Sequence, residues 1–221
     1  MLEREEQHLM SSSENSCRTI SMKQKFHLLI TTKTSGFLWY IIDNLSCKLD
    51  GFAQVYENSI GREYSKEYAQ LRLSATKKVL HIGCGSYPLT NIILSADGLQ
   101  HIVGIDSDPR AVELAQHIIS KKHLSEQVTI EQSDGQHYSV KKFDIIIISS
   151  CSWPKMDIVD HVLTDAKKNS IIILRELNHV VKPVKQCILS HPDIVILKHI
   201  SHHPFPFYGP IGWQSFYLTK K

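Results

Sequence analysis

The chain has 221 residues, a net charge of +3, 42% hydrophobic and 21% charged residues. This is the make-up of a globular protein large enough for one α/β domain with an appendage. So mild a charge argues against nucleic acid as a partner, and the longest apolar runs, Gly36 to Ile42 and Phe143 to Ile148, are too short to cross a bilayer, so no membrane partner is expected either. The acidic start "MLEREEQ" is unlike secretory or transit peptides. Five cysteines (Cys17, Cys47, Cys84, Cys151 and Cys187), an odd number and outside metal-ligand spacing, read as free thiols of a cytoplasmic protein without a metal site.

In chain order, residues 1–75 read as a helical N-terminal extension. Ser11 to Ser16 is polar and loop-like. From Gly36 onward, Leu38, Ile41, Ile42, Leu45, Leu49, Phe52, Val55 and Tyr56 recur at helical spacing, and Tyr64, Tyr68 and Leu71 continue the stripe. Two or three helices are predicted there. From residue 76 to 221 the texture changes to short β-rich runs alternating with helical segments. Strands are predicted over 78–82, 101–106, 127–131, 143–149, 170–174, 193–199 and 213–219, and helices over 88–96, 109–121, 155–165 and 183–190. Asp108 before Pro109 is a helix-start pair. Such alternation predicts a Rossmann-like, mostly parallel seven-stranded sheet with helices on both faces. Ser201 to Gly212, rich in Pro and aromatics, reads as a loop, so the last strand enters antiparallel.

The segment "KKVLHIGCGSYPLTNIILS" (Lys77 to Ser95) places Gly83 and Gly85 between the first strand and a helix. Glycine there permits a tight turn and close approach of a ligand to the backbone. Asp106 ends the second strand, at the spacing expected of a carboxylate that accepts from ribose hydroxyls. A dinucleotide fold would place its third glycine where this chain has Pro88. The pattern therefore favours S-adenosylmethionine, which has no pyrophosphate, over NAD. The segment "SDGQHY" (Ser133 to Tyr138) follows the third strand and supplies a slot for adenine.

The alternation closed by an antiparallel hairpin resembles the class I S-adenosylmethionine-dependent methyltransferases. Within that superfamily, "IGCGSYPLTNIILS" resembles the first motif of nicotianamine synthases at Gly83, Gly85, Pro88, Leu89, Thr90 and Ile92. "IDSDP" (Ile105 to Pro109) and "LRELNH" (Leu174 to His179) resemble later motifs more loosely. The resemblance implies the same cofactor. It leaves open methyl transfer and transfer of the cofactor's 3-amino-3-carboxypropyl group.

The candidate cofactor-binding residues are Gly83, Cys84, Gly85, Tyr87, Pro88, Thr90, Asp106, Ser107, Asp134, Gly135, Ser149 and Ser150. Glu63, Tyr64 and Glu176 are the catalytic candidates: a group transfer to nitrogen or oxygen needs a proton acceptor near the acceptor atom, and the N-terminal helices are expected to close the pocket as a lid. Trp153, near the expected sulfonium position, is a candidate for cation–π cover, and a histidine of the last loop for substrate contact. The expected function is methyl transfer to a small molecule. Aminocarboxypropyl transfer is the first alternative, and a non-catalytic cofactor-binding partner subunit the second.

Overall fold

Four consecutive isoleucines, Ile145–Ile148 (β4), run through the middle of the sheet, none more than 4% exposed. Continuous apolar sequence of this kind is what a parallel strand covered on both faces requires. The computed structural model describes residues 22–69, 71, 74–178, 180–204 and 212–221. Ser11 to Ser16, Cys17, His179 and most of the loop expected over 201–212 lie outside the described residues.

The remaining strands are β1 (Lys78–Ile82), β2 (His101–Asp106), β3 (Val128–Gln132), β5 (Ile171–Leu177), β6 (Ile194–His202) and β7 (Trp213–Lys220). They order as β3-β2-β1-β4-β5-β7-β6. Every pair is parallel except those made by β7, which inserts antiparallel between β5 and β6. The predicted strands fall within a few residues of the observed ones. The register puts Ile145 and Ile147 in one apolar cluster, and Ile146 and Ile148 in the other, as the two-residue period of a strand dictates.

The helices α1 (Met22–Lys48), α2 (Asp50–Tyr56) and α3 (Arg62–Tyr68), with a π-helical turn over Glu57–Gly61 between the last two, precede the sheet. With α4 (Leu89–Ala96) and α5 (Pro109–Lys121) they contribute to the first cluster, whereas α6 (Lys155–Asp165) and α7 (Val181–Leu189) cover the other face. The expected start of α5 is observed: the Asp108 carboxylate accepts from the Arg110 N–H at 3.0 Å, with Pro109 in the first turn. The N-terminal extension is longer in helix than its sequence pattern suggested, since α1 begins at Met22.

A buried ion pair fastens these helices to the sheet. Glu67 on α3 is wholly buried, and Arg175 on β5 is 2% exposed. The guanidinium donates to Glu67 Oε2 at 2.6 and 3.1 Å, to Thr90 Oγ1 at 2.8 Å and to the Tyr68 hydroxyl. Ser215 of β7 donates to Glu67 Oε1, and Tyr217 donates to the Glu67 carbonyl at 2.9 Å. Burial opposes the Arg175 charge, but Glu67 outweighs it and keeps the guanidinium protonated. The Tyr64 ring lies 3.7 Å beneath the guanidinium carbon, a cation–π contact in a dry environment.

The cysteine expectation needs a correction. Cys47, Cys84 and Cys151 are free, but Cys187 on α7 is disulfide-bonded. Its pairing depends on tertiary approach, which no local spacing announces. Asp160, Cys187 and His191 bring possible metal-ligating atoms within 4.8 Å of one another, yet a sulfur held in a disulfide has no thiolate to offer a metal.

Removing one partner of a buried pair strands the other charge. Glu67→Ala is expected to lower unfolding free energy by about 3–5 kcal/mol in urea titrations. The double variant Glu67→Leu/Arg175→Met is expected to recover most of that loss.

Candidate functional site

A cavity of about 360 Å³ opens beyond the carboxyl ends of the parallel strands, where open α/β sheets hold their ligands. Its floor is the turn after β1. Gly83 and Gly85 have φ of +77° and +68°, a left-handed conformation costly for side-chain-bearing residues. A Cβ on Gly83 would lie 2.5 Å from Ser152 Oγ, and one on Gly85 would lie 2.3 Å from Asp43 Oδ2. Glycine is thus required here by backbone geometry and by space.

Asp106 stands beside this turn. One carboxylate oxygen accepts from the Gly85 N–H at 2.9 Å and the other from the Asp108 N–H at 3.0 Å. Each oxygen keeps a lone pair for a further donor. Burial raises its pKa, against the N–H groups of Asp108 and Gly85, which favour the charged form. Asp134 is turned into its own loop, accepting from the Gln136 N–H at 2.9 Å and meeting the His137 ring at 2.9 Å. Partial burial would raise its pKa, but these contacts hold it below the usual carboxylate value.

Eleven of the twelve cofactor candidates line this cavity: Gly83, Cys84, Gly85, Tyr87, Thr90, Asp106, Ser107, Asp134, Gly135, Ser149 and Ser150. Pro88 does not; it sits as the N-cap of α4. Thr90 spends its hydroxyl on Arg175, as described above. Tyr87 donates to Glu57 Oε1 at 2.6 Å, and Lys122 of α5's end meets the same carboxylate at 2.7 Å, so Tyr87 joins the turn to the N-terminal helices.

Of the catalytic candidates, only Tyr64 reaches the cavity. Burial raises its phenol to about 12, so it stays protonated at neutral pH and can donate or form a wall. Glu63 pairs with Lys66 at 2.6 Å and faces His202 at 3.2 Å. Glu176 is fully buried beside Lys155, whose ammonium is 3.7 Å away. Burial raises Glu176 to about 7, against the pull of Lys155. Neighbours on a strand face opposite ways: Arg175 takes the cavity side of β5, and Glu176 the side covered by α6. His202, from the C-terminal end of β6, stacks on Trp213 at 4.7 Å between centroids and does not line the cavity. Trp153 does line it, and is 45% exposed.

Two groups of cavity residues had gone unread in the sequence. One is a face of α1: Gly36, Trp39, Tyr40 and Asp43 line the cavity at i, i+3, i+4 and i+7, the spacing of one helical face. Tyr56 of α2 continues this roof, 6.2 Å from Trp39 and 5.9 Å from Tyr87 between ring centroids. The signal, an acid and two aromatics in phase beside a glycine, was masked by the stronger apolar stripe on the same helix. The other is His81 in β1. Its ring nitrogens meet Asn91 Oδ1 at 2.7 Å and Ser149 Oγ at 2.8 Å. Burial lowers its pKa to about 3, so it is a neutral ring that orients Ser149. Burial keeps Cys84 and Cys151 as thiols, the latter at about 12, which removes both as nucleophiles.

A family model described as "Methyltransferase domain" matches residues 73–212. Ribosomal protein L11 methyltransferase of Thermosipho africanus is 28% identical over 110 residues, covering 50% of this chain and 41% of that protein. The protein designated methyltransferase 235L of Invertebrate iridescent virus 6 is 29% identical over 155 residues, 66% of this chain and 56% of its own length. This chain thus spans about half the length of these curated relatives. Among solved structures, a variant of MtNAS in complex with S-adenosylmethionine superposes with a TM-score of 0.67 at 16% identity, covering 97% of this chain and 90% of the other. MtNAS in complex with MTA and tNA gives 0.66 at 16% identity, covering 96% and 87%. These likenesses establish the shared fold.

The glycine geometry yields a paired prediction. Gly98 also has positive φ, +92°, but a Cβ there meets nothing within 4 Å. Gly98→Ala should lose about 1–2 kcal/mol in denaturant unfolding from backbone strain alone, and Gly85→Ala more, because its methyl also meets Asp43. Only Gly85→Ala should also alter the tryptophan fluorescence of the native state, because its methyl displaces Asp43 on the helix that carries Trp39.

Proposed function

Because this chain belongs to the methyltransferase-domain family, we propose that it is an S-adenosylmethionine-dependent transferase that methylates a small molecule. The observation that carries this reading is the joining, in one cavity, of the Gly83–Gly85 turn, Asp106 at the end of β2 and the Ser133–Gly135 loop after β3. The fit is chemical as well as spatial. The glycines leave a cradle that any Cβ would fill, and Asp106 retains acceptor capacity for two ribose hydroxyls. The cavity volume suits a ligand of nucleoside size.

In this reading the backbone of Gly83, Cys84 and Gly85 faces the amino-acid end of the cofactor. Asp106 and Ser107 hold the ribose, and Asp134 and Gly135 border the adenine. Ser149 and Ser150 flank the reacting end, with Ser149 oriented by neutral His81. When bound, the cofactor supplies a carbon activated by a sulfonium. The chain's part is to align the acceptor and exclude water. Trp39, Tyr40, Tyr56 and Tyr64 form the apolar roof that does so, and residues 1–75 act as the lid over the domain of residues 76–221. A small acceptor fits a cavity roofed in this way. Among the described residues, no helix is long and apolar enough to cross a membrane.

Aminocarboxypropyl transfer is the second reading, favoured by one observation. The likeness to MtNAS extends over 97% of this chain, N-terminal helices included, whereas the likeness to the StiE O-MT structure covers 72%.

Two measurements test the proposal. Incubation with S-adenosylmethionine and a panel of small amines and alcohols should yield S-adenosylhomocysteine. Methylthioadenosine as the product would assign the second reading, and tight binding with neither product would assign a non-catalytic role. Asp106→Ala should weaken cofactor binding by roughly tenfold or more in calorimetry, since it removes charge-assisted hydrogen bonds; unchanged affinity would remove Asp106 from the ribose site.

A further inference from the structure

The cavity contains a carboxylate that neither the glycine motif nor the sheet accounts for. Asp43 comes from α1, and its Oδ2 lies against Gly85, so close that a Cβ there would stand 2.3 Å away. The backbone N–H groups of Ser86 and Tyr87 and the Tyr56 hydroxyl lie on its side of the turn and favour its charged form. No salt bridge to Asp43 is found among the described residues. An acid from the N-terminal helices therefore occupies the place at a glycine turn and helix start where other nucleotide folds bind a phosphate. A ligand reaching this point meets a negative group, and aromatic rings from Trp39, Tyr56 and Tyr64 stand around the same cavity.

We propose that Asp43 is the lid's binding group for the α-ammonium of the cofactor's amino-acid tail, so that the N-terminal helices recognise a cationic tail at the glycine turn and reject an anionic one. This rests on the reading of the cavity as an S-adenosylmethionine site. Its geometry follows from position: Asp106 accepts from the Gly85 N–H, where the ribose belongs, and Asp43 stands where a Gly85 side chain would project. A charged hydrogen bond from an ammonium to this sheltered carboxylate is of the stronger kind. It also ties the lid to the ligand, because Asp43 and the roof residues Trp39 and Tyr40 share one helix face.

Protonation supplies an independent readout. Burial raises Asp43 to about 7, against the N–H groups of Tyr87 and Ser86. The ionisable groups around it are Asp106 beyond the turn, Tyr56 of α2, Tyr64 of α3, Cys47 of α1, Cys84 of the turn and Cys151 after β4. The ammonium binds the ionised form, so affinity for a tail-bearing ligand should fall as pH drops below about 7. A ligand without the tail should lack this dependence, and Asp106 acts on both ligands alike.

The test compares S-adenosylhomocysteine with methylthioadenosine, which shares the adenosine but lacks the amino-acid tail. Calorimetry on the full chain and on Asp43→Asn is expected to show S-adenosylhomocysteine binding weakened roughly tenfold or more in the variant and methylthioadenosine binding unchanged. On the unaltered chain, S-adenosylhomocysteine should bind several-fold more weakly at pH 6 than at pH 8 and methylthioadenosine equally at both, so the test stands even where the variant fails to fold. Equal loss for both ligands in a folded variant, loss for neither, or pH-independent binding of S-adenosylhomocysteine would overturn the proposal. Failure of the unaltered chain to bind either ligand would instead overturn the cofactor assignment itself.

Discussion

The buried pair between Glu67 and Arg175 is the constraint around which this molecule is arranged. A guanidinium and a carboxylate withdrawn from water cost several kcal/mol each unless every donor and acceptor finds a partner. Here the partners come from four places: Thr90 after the glycine turn, Tyr68 beside Glu67, and Ser215 and Tyr217 on the inserted strand β7. Satisfying the pair therefore fixes the N-terminal helices, the start of α4 and the sheet in one relation. The same guanidinium covers Tyr64, so the pair also sets one wall of the cavity. A salt bridge of this kind contributes position more than it contributes stability.

The cavity's electrostatics follow from what burial does to each group type. Desolvation disfavours charge, so His81 is neutral, Cys84 and Cys151 keep their protons, and Tyr64 remains a phenol. The positive charge of Arg175 is answered by Glu67. What is left to define the field is carboxylate: Asp43 and Asp106, both against Gly85, with Asp134 in the loop after β3. Such a lining accommodates a ligand that carries positive charge at one end and hydroxyl donors near its middle. A pyrophosphate would instead meet the Asp43 carboxylate, which stands against Gly85 at this turn.

The N-terminal helices are held by contacts of very different kinds. At their core end is the buried Glu67–Arg175 network. At the outer edge are an exposed pair, Asp50 with Lys121 at 2.7 Å, and a half-buried one, Glu57 with Lys122 at 2.7 Å; solvent screening weakens pairs of this kind. The N-terminal helices are thus anchored firmly at α3 and lightly along α1 and α2, where the cavity opens.

Much of the fold was legible in the sequence because it depends on local period. Alternating short β-rich runs and helical segments predicted all seven strands and the helices of the domain to within a few residues. The antiparallel last strand followed from the loop before it. The place of the glycine turn and of Asp106 at the cavity was legible for the same reason: it depends on spacing along one strand–turn–helix–strand unit. The catalytic candidates were less so. Glu176 and Arg175 are adjacent in sequence and equally placed by it, and only the register of β5 sends Arg175 to the cavity and Glu176 to Lys155. Asp43, Trp39 and His81 carry no local motif, and Cys187 was read as a free thiol because a disulfide is made by approach through space. The sequence by itself determined the layers, the strand count and the glycine turn at the cavity floor, all consequences of short-range pattern. Only the tertiary structure decided which side of each element faces the cavity and which distant acid lies against Gly85, because those depend on how the N-terminal helices dock, and that docking is set by a buried ion pair whose partners are 108 residues apart.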